Sequence, residues 1–442
     1  MKKDNIITDV GNSFSKYAPS YYQKTYLDSN FKYDISETSF SDILYEDRKI
    51  YAVPIGKNYQ FVQTMVLIRK EIVEAYGQDI KIDSIDDYEN ILKWIDENYE
   101  QYIPGLCPVE RNGSIYYMSD FYNVLGDFLD CTYIHDIICE SMIEDMFYCN
   151  IKHDYSNIRE NDKIYITPVI GHPEFKETMM KFITWKKEGI MDFYTSTTDV
   201  NLSKYATILS NTIEYTMFKY AQQSDGTSNI LDVGDYYGYL VNVSGSSIHV
   251  GQTWGTVYSS NFCMSGDEDG IASILSFIEW LYSKQENYDL FMYGKQGIDY
   301  EIKNRRFNLL KNHNSIIYGN FIPYRVLENY DYMRTLNSYP VNWNKIYEQI
   351  KKIDQVSTLS KYIHIEKGIP FKNIRYELLS EGFVDNRKRN RKFLEDLFKE
   401  MKDNPEQILN DYISEKAQSE YINGVLTNYQ EYMTKLLSYL PE

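Results

Sequence analysis

Residues 254–303 read WGTVYSSNFCMSGDEDGIASILSFIEWLYSKQENYDLFMYGKQGIDYEIK. The run Thr256–Met264 carries no charge and leads to the acidic cluster Asp267-Glu268-Asp269. Acidic groups favour a helix N-terminus, where unpaired N–H groups carry partial positive charge, so this cluster is expected to cap a helix. A calcium loop is the poorer reading, because the twelve-residue ligand spacing and its closing Glu are missing. The residues after the cluster are amphipathic: Ile271, Ile274, Leu275, Ile278, Leu281 and Tyr282 fall on one helix face. The stretch closes on the tight pattern Tyr293-Gly294-x-x-Gly297-x-x-Tyr300.

Working outward, the same alternation of strand and helix recurs. Asp47–Pro54 reads as a turn entering a short strand, and Gly56–Gln60 as a polar loop. Thr64–Ile68 is an apolar run of the buried-strand kind. Arg69-Lys70-Glu71 opens a helix that Gly77 ends. Ser84-Ile85-Asp86-Asp87 is a capping box, and the helix it opens places Ile85, Tyr88, Ile91, Leu92 and Ile95 on one face. Phe175–Met191 reads as one amphipathic helix, and Asp232–Trp254 alternates polar and apolar residues as strands do. The far end is helical and charged, over Trp343–Ile353, Arg387–Met401 and Pro405–Leu440. The basic run Asp385–Arg391 is read as a solvated helix start.

Composition narrows the function. At 442 residues the chain can hold two or more cores. A net charge of −18 argues against nucleic acid, whose binders neutralise phosphate with basic patches. It also disfavours an anionic membrane surface. Tyr numbers 44, and its ring can stack on a sugar while its hydroxyl hydrogen-bonds; an AT-rich genome explains most of that excess. Five cysteines without a Cys-x-x-Cys pair give no disulfide framework. Cys131, His135 and Cys139 share a helix face but spread over two turns, which suits packing better than zinc; no metal and no cofactor is expected. No Gly-x-Ser-x-Gly elbow, His-Glu-x-x-His helix or Walker loop occurs, and paired carboxylates arise by chance among 64 acidic residues.

The 254–303 stretch resembles the segment by which extracellular solute-binding proteins of carbohydrate ABC importers return from the second lobe to the first. The match is to the long Gram-positive lipoprotein branch. Further likeness lies in Lys16-Tyr17-Ala18-Pro19, in Lys49–Pro54, in the unit 44–108, in the helix end Lys186–Ile190, and in Ile317–Tyr324 with its Gly319-Asn320.

The resemblance implies an α/β, two-lobe periplasmic-binding-protein-like (type II) fold, with an incomplete first lobe and a helical C-terminal region. Residues 1–57 would be the remainder of lobe 1 and 58–253 lobe 2. Residues 254–320 would return into lobe 1, and 321–442 would pack mainly on lobe 2. The implied function is binding of a solute, an oligosaccharide above all, for an ABC transport system, with no catalysis. The implied partners are a carbohydrate or related small solute and the permease membrane subunits, with the protein itself a monomer. By position beside the crossovers, Tyr59, Gln60, Trp254, Tyr258, Asn320 and Trp343 are the candidate ligand contacts. Family members are extracellular and membrane-anchored. This sequence shows neither signal peptide nor lipid-attachment Cys, so as written it reads as cytoplasmic or incomplete. The competing reading is a truncated, non-transport paralogue that acts as an interaction module or is a non-functional remnant.

Overall fold

The computed structural model describes residues 9–23, 52–54, 64–77, 79–108, 119–129, 132–133, 147–149, 166–194, 201–211, 221–222, 228–229, 233–241, 261–263, 267–310, 332, 334–337, 339–353 and 381–437. Strands run in chain order as β1 (Ala52–Pro54), β2 (Thr64–Arg69), β3 (Ile103–Pro108), β4 (Thr132–Tyr133), β5 (Phe147–Cys149), β6 (Ile166–Pro168), β7 (Met191–Tyr194), β8 (Tyr205–Asn211), β9 (Ala221–Gln222), β10 (Ser228–Asn229), β11 (Tyr236–Leu240), β12 (Asn261–Cys263), β13 (Tyr300–Lys303) and β14 (Arg306–Leu309). The helices are α1 (Gly11–Tyr17), α2 (Pro19–Tyr22), α3 (Lys70–Tyr76), α4 (Ile85–Asn98), α5 (Ser119–Phe128), α6 (Phe175–Lys187), α7 (Glu268–Ser283), α8 (Gln285–Met292), α9 (Trp343–Ile353), α10 (Glu381–Leu394), α11 (Pro405–Ala417) and α12 (Glu420–Leu437). The chain divides into two compact units. Unit 1 holds 1–60, 218–232 and 252–339; unit 2 holds 61–217, 233–251 and 340–442.

Unit 2 is built on a five-stranded mixed sheet in the order β11-β2-β8-β3-β7. β3 runs parallel to β7 and β8, while β2 is antiparallel to both β8 and β11. Met65, Val66, Leu67 and Ile68 of β2 are all buried, in keeping with the continuous apolar run. Helix α4 lays Tyr88, Ile91, Leu92 and Ile95 on the core, and its start is the expected capping box. Ser84 Oγ accepts the Asp87 N–H at 3.2 Å, and Asp87 Oδ2 accepts the Ser84 N–H at 2.9 Å. Ser84→Ala is expected to lower stability by about 1 kcal/mol in equilibrium urea unfolding, because the helix N-terminus loses its side-chain cap. No change in the unfolding midpoint would show the box to be superfluous.

Helix α6 stops at Lys187, short of the expected Met191. Gly189 takes a positive φ of 76° there, and Met191 already begins β7. The C-terminal helices complete this core. Phe398 stacks on Phe193 with ring centroids 4.0 Å apart, and Phe393 stacks on Tyr412 at 3.7 Å. The basic run 385–391 is not a helix start. It lies within α10, and Asn386 and Asn390 turn inward there, Asn390 Oδ1 accepting the Tyr412 hydroxyl at 2.9 Å. Lys388, Arg389 and Arg391 keep the outer face, which is the solvated half of the expectation. The single helical run expected over 405–440 is two helices, α11 and α12, parted at Gln418-Ser419.

Unit 1 contains the 254–303 stretch. β12 pairs antiparallel with β1, Val53 opposite Phe262. Asp267 is the N-cap of α7, its Oδ1 accepting the Gly270 N–H at 2.9 Å. Ile271, Leu275, Ile278, Leu281 and Tyr282 are buried as expected, but Ile274 is 40% exposed. The helix face in contact is narrower than the apolar stripe, so Ile274 lies on its outer flank with Phe277 and Trp280. All six residues of the stripe lie on the single helix α7, and a second helix, α8, follows after the extended backbone of Lys284. The glycines of the closing pattern have a definite task. Gly294 and Gly297 sit at φ of 84° and 82°, which L side chains resist. A Cβ on Gly294 would also fall 2.5 Å from Asp299 Oδ2. This turn carries Tyr293 and Tyr300 onto one ring, Phe307, at 5.3 and 4.5 Å.

Candidate functional site

In a sheet with parallel strands, ligands gather beyond the carboxyl ends of those strands. In unit 2 the carboxyl ends of β3, β7 and β8 are Pro108, Tyr194 and Asn211. Antiparallel pairing brings the first residue of β2, Thr64, opposite Asn211, and the last of β11, Leu240, opposite Met65. One edge of the sheet is thereby made from Pro108, Tyr194, Asn211, Thr64 and Leu240. At this edge the chain runs into 55–63, 109–118, 195–200, 212–220 and 242–260, all outside the described residues.

The other edge is closed by its own side chains. The Arg69 guanidinium donates to the Tyr205 carbonyl at 2.8 Å and the Leu202 carbonyl at 3.2 Å. The rings of Tyr102 and Tyr236 stand 4.7 and 5.0 Å from it. Burial, then the adjacent Asp192, pushes the Tyr205 hydroxyl up to about 12. Between the edges, the buried Tyr88 hydroxyl pairs with Thr207 Oγ1 at 2.7 Å, and Thr207 donates to the Pro104 carbonyl at 2.8 Å. Burial drives the Tyr88 hydroxyl far upward, so it stays protonated. These groups satisfy one another.

The polar pair at the carboxyl edge is different. Asp127, near the end of α5, is 1% exposed, and its Oδ2 accepts the Thr64 N–H at 2.7 Å. Burial raises its carboxyl from the ordinary 3.8 to about 7, against the pull of Thr64. Sequence reading misses Asp127. Its one signal is an acid amid the apolar residues of Val124-Leu125-Gly126-Asp127-Phe128-Leu129.

Of the six candidate contacts, Tyr59, Gln60, Trp254, Tyr258 and Asn320 lie outside the described residues. In sequence, Gln60 stands four residues ahead of Thr64 and Tyr59 five. Trp343 is described: it opens α9 at 5% exposure, its ring stacked along Tyr347 at 6.4 Å. Its neighbour Asn342 seals the outer edge of β11, with Oδ1 accepting the Gly238 N–H and Nδ2 donating to the Gly238 carbonyl, both at 2.8 Å. Cys131, His135 and Cys139 lie outside the described residues, among which no group of three or more His, Cys, Asp or Glu could hold a metal.

No model of a known protein family matches the chain. No curated protein sequence matches it either. Solved structures do. The N-glycan transport solute binding protein of Streptococcus pneumoniae matches with a TM-score of 0.53 at 12% identity, over 99% of this chain and 84% of that one. Its complex with Man1GlcNAc gives 0.50 at 14% identity, over 99% and 85%. An HMO-binding, ABC-transporter-associated solute binding protein from Bifidobacterium longum infantis gives 0.50 at 11% identity, over 100% and 85%. Identities this low establish a shared architecture, and the mixed sheet of unit 2 agrees with it. The chain has the two-lobe, type II α/β fold of extracellular solute-binding proteins.

Proposed function

We propose that this chain binds a carbohydrate, an oligosaccharide above all, for an ABC import system and performs no chemistry on it. The observation that carries the reading is the shared fold with the N-glycan and HMO-binding proteins. The division of the chain into two units, each assembled from separated segments, agrees with a two-lobe fold. The composition of the chain that adjoins, in sequence, the strand ends at the carboxyl edge of unit 2 supports the reading too. The segments that leave this edge contain Tyr59, Tyr116, Tyr117, Tyr215, Trp254 and Tyr258. Aromatic faces stack on sugar rings, and neighbouring amides and hydroxyls such as Gln60 bind their hydroxyl groups. Asn320 and Trp343 complete the proposed contacts. The partners are permease membrane subunits and the working location is extracellular. No described helix is long and apolar enough to cross a membrane.

Calorimetric titration with mannose–GlcNAc glycans and milk oligosaccharides tests the reading. Saturable binding is expected, with the sugar recovered intact by mass spectrometry. Trp254→Ala is expected to weaken binding about tenfold or more, through loss of one stacked ring. Steady release of smaller sugars, or no heat from any oligosaccharide, would overturn it.

A further inference from the structure

The chain passes from unit 1 to unit 2 at 60/61, and Thr64 is where the entering chain becomes β2. Its carbonyl accepts the N–H of Val241, just past the end of β11, at 2.9 Å. Its own N–H is held by Asp127. Asp127 Oδ1 and Thr64 Oγ1 are both buried and make no further hydrogen bond among the described residues. A carboxylate so placed is shielded from bulk solvent and held by one N–H.

No cation among the described residues offsets it. The elements packed on α5 include α6, β2 and β3, and its Phe121 also meets the rings of Phe193 in β7 and of Phe398, in the helical turn that carries Glu395, Asp396 and Lys399. β3 carries the buried thiol of Cys107, and β2 carries Arg69 at its far end. The charges of α6 are Lys176, Glu177, Lys181, Lys186 and Lys187, and Tyr88 of α4 stacks on Phe128. None of these contributes to the state of Asp127, which burial raises and Thr64 alone lowers.

We propose that Asp127 is a proton-operated latch on the strand that receives the chain from unit 1. Ionised, it grips the Thr64 N–H with a charge-assisted bond, while its unmatched charge burdens the core of unit 2. Protonated, it removes that burden and loosens the grip on the start of β2. The sign comes from proton counting. The folded carboxyl holds its proton to about 7 and the unfolded one only to 3.8, so the unfolded state binds fewer protons between those values. Stability therefore falls as pH rises through that window and levels off above it. Mild acid therefore raises the overall stability even as it loosens this one bond, the reverse of a salt-bridged carboxylate.

Carboxyl-carbon and amide NMR on the full chain, titrated from acid to alkaline pH, tests this. One side-chain carboxyl should titrate near 7 and vanish in Asp127→Asn, and the Thr64 amide should move with the same midpoint. Thermal melts should show Asp127→Asn more stable than the parent above pH 7, with a shallower dependence on pH below it. A Thr64 amide that ignores the titration, or melts of parent and variant with one common slope, would overturn the latch. Should Asp127→Asn fail to fold, the Thr64 amide of the parent decides alone: movement with the carboxyl supports the latch, and indifference overturns it.

Discussion

Trp185→Ala is expected to lower the stability of unit 2 by about 3–5 kcal/mol, the usual loss when a buried indole becomes a cavity. Trp185 is 1% exposed, and the rings of Phe182 and Tyr88 meet it edge-on at 5.1 and 6.0 Å. Its indole N–H donates to Glu89 Oε1 at 3.3 Å. That carboxylate also receives Lys181, and the lysine partners of Glu89 outweigh its partial burial to hold it below its ordinary range. Removing the indole thus costs packing and one polar contact, while the Lys181–Glu89 pair persists. Trp185→Phe keeps a ring in place and is expected to lose about half as much. Urea unfolding followed by circular dichroism reads both. A Trp185→Ala protein within about 1 kcal/mol of the parent would mean that this core collapses around the gap.

Arg334→Met should weaken unit 1 by about 2 kcal/mol, because loss of the guanidinium strands a buried carboxylate. Asp289 is 6% exposed, and Arg334 grips it with Nε at 3.0 and 3.2 Å and Nη2 at 2.7 Å. Without Arg334, Asp289 keeps only Gln285 Nε2, at 2.9 Å, as a side-chain donor among the described residues. The effect stays below that of a fully buried pair because the Arg334 side chain is 36% exposed and water screens it. Adding Asp289→Asn to Arg334→Met should recover part of the loss, since the stranded charge is then gone. A double variant weaker than the single one would show that Asp289 works through other contacts.

Both sites depend on a partner that lies far along the chain. Arg334 and Asp289 are 45 residues apart, and no local pattern pairs them. Trp185 is one apolar position on a helix whose periodicity is visible and already places Phe182 beside it at i−3, whereas its other partner ring, Tyr88 of α4, is revealed only by packing.

Local chemistry is legible in the sequence because it acts over a few residues. The Ser84 capping box, the Asp267 cap, the buried run of β2 and the closing Tyr-Gly pattern all arise from hydrogen bonds, burial or backbone angles within a few residues of chain. The resemblance carried by residues 254–303 likewise leads to the fold that the solved structures share. Tertiary structure alone decided the rest. Periodicity names an apolar stripe but not its width in contact, so Ile274 belongs to the stripe and yet lies at the surface. Charge density suggests a solvated helix start at 385–391. Packing instead turns Asn386 and Asn390 of that run inward, with Asn390 bonded to Tyr412 of the next helix. Asp127 meets Thr64 across 63 residues of chain, a pairing fixed by the order of the strands. Sequence supplies the propensities of segments, but the burial that shifts a carboxyl or orphans a polar atom exists only once distant segments have closed around it.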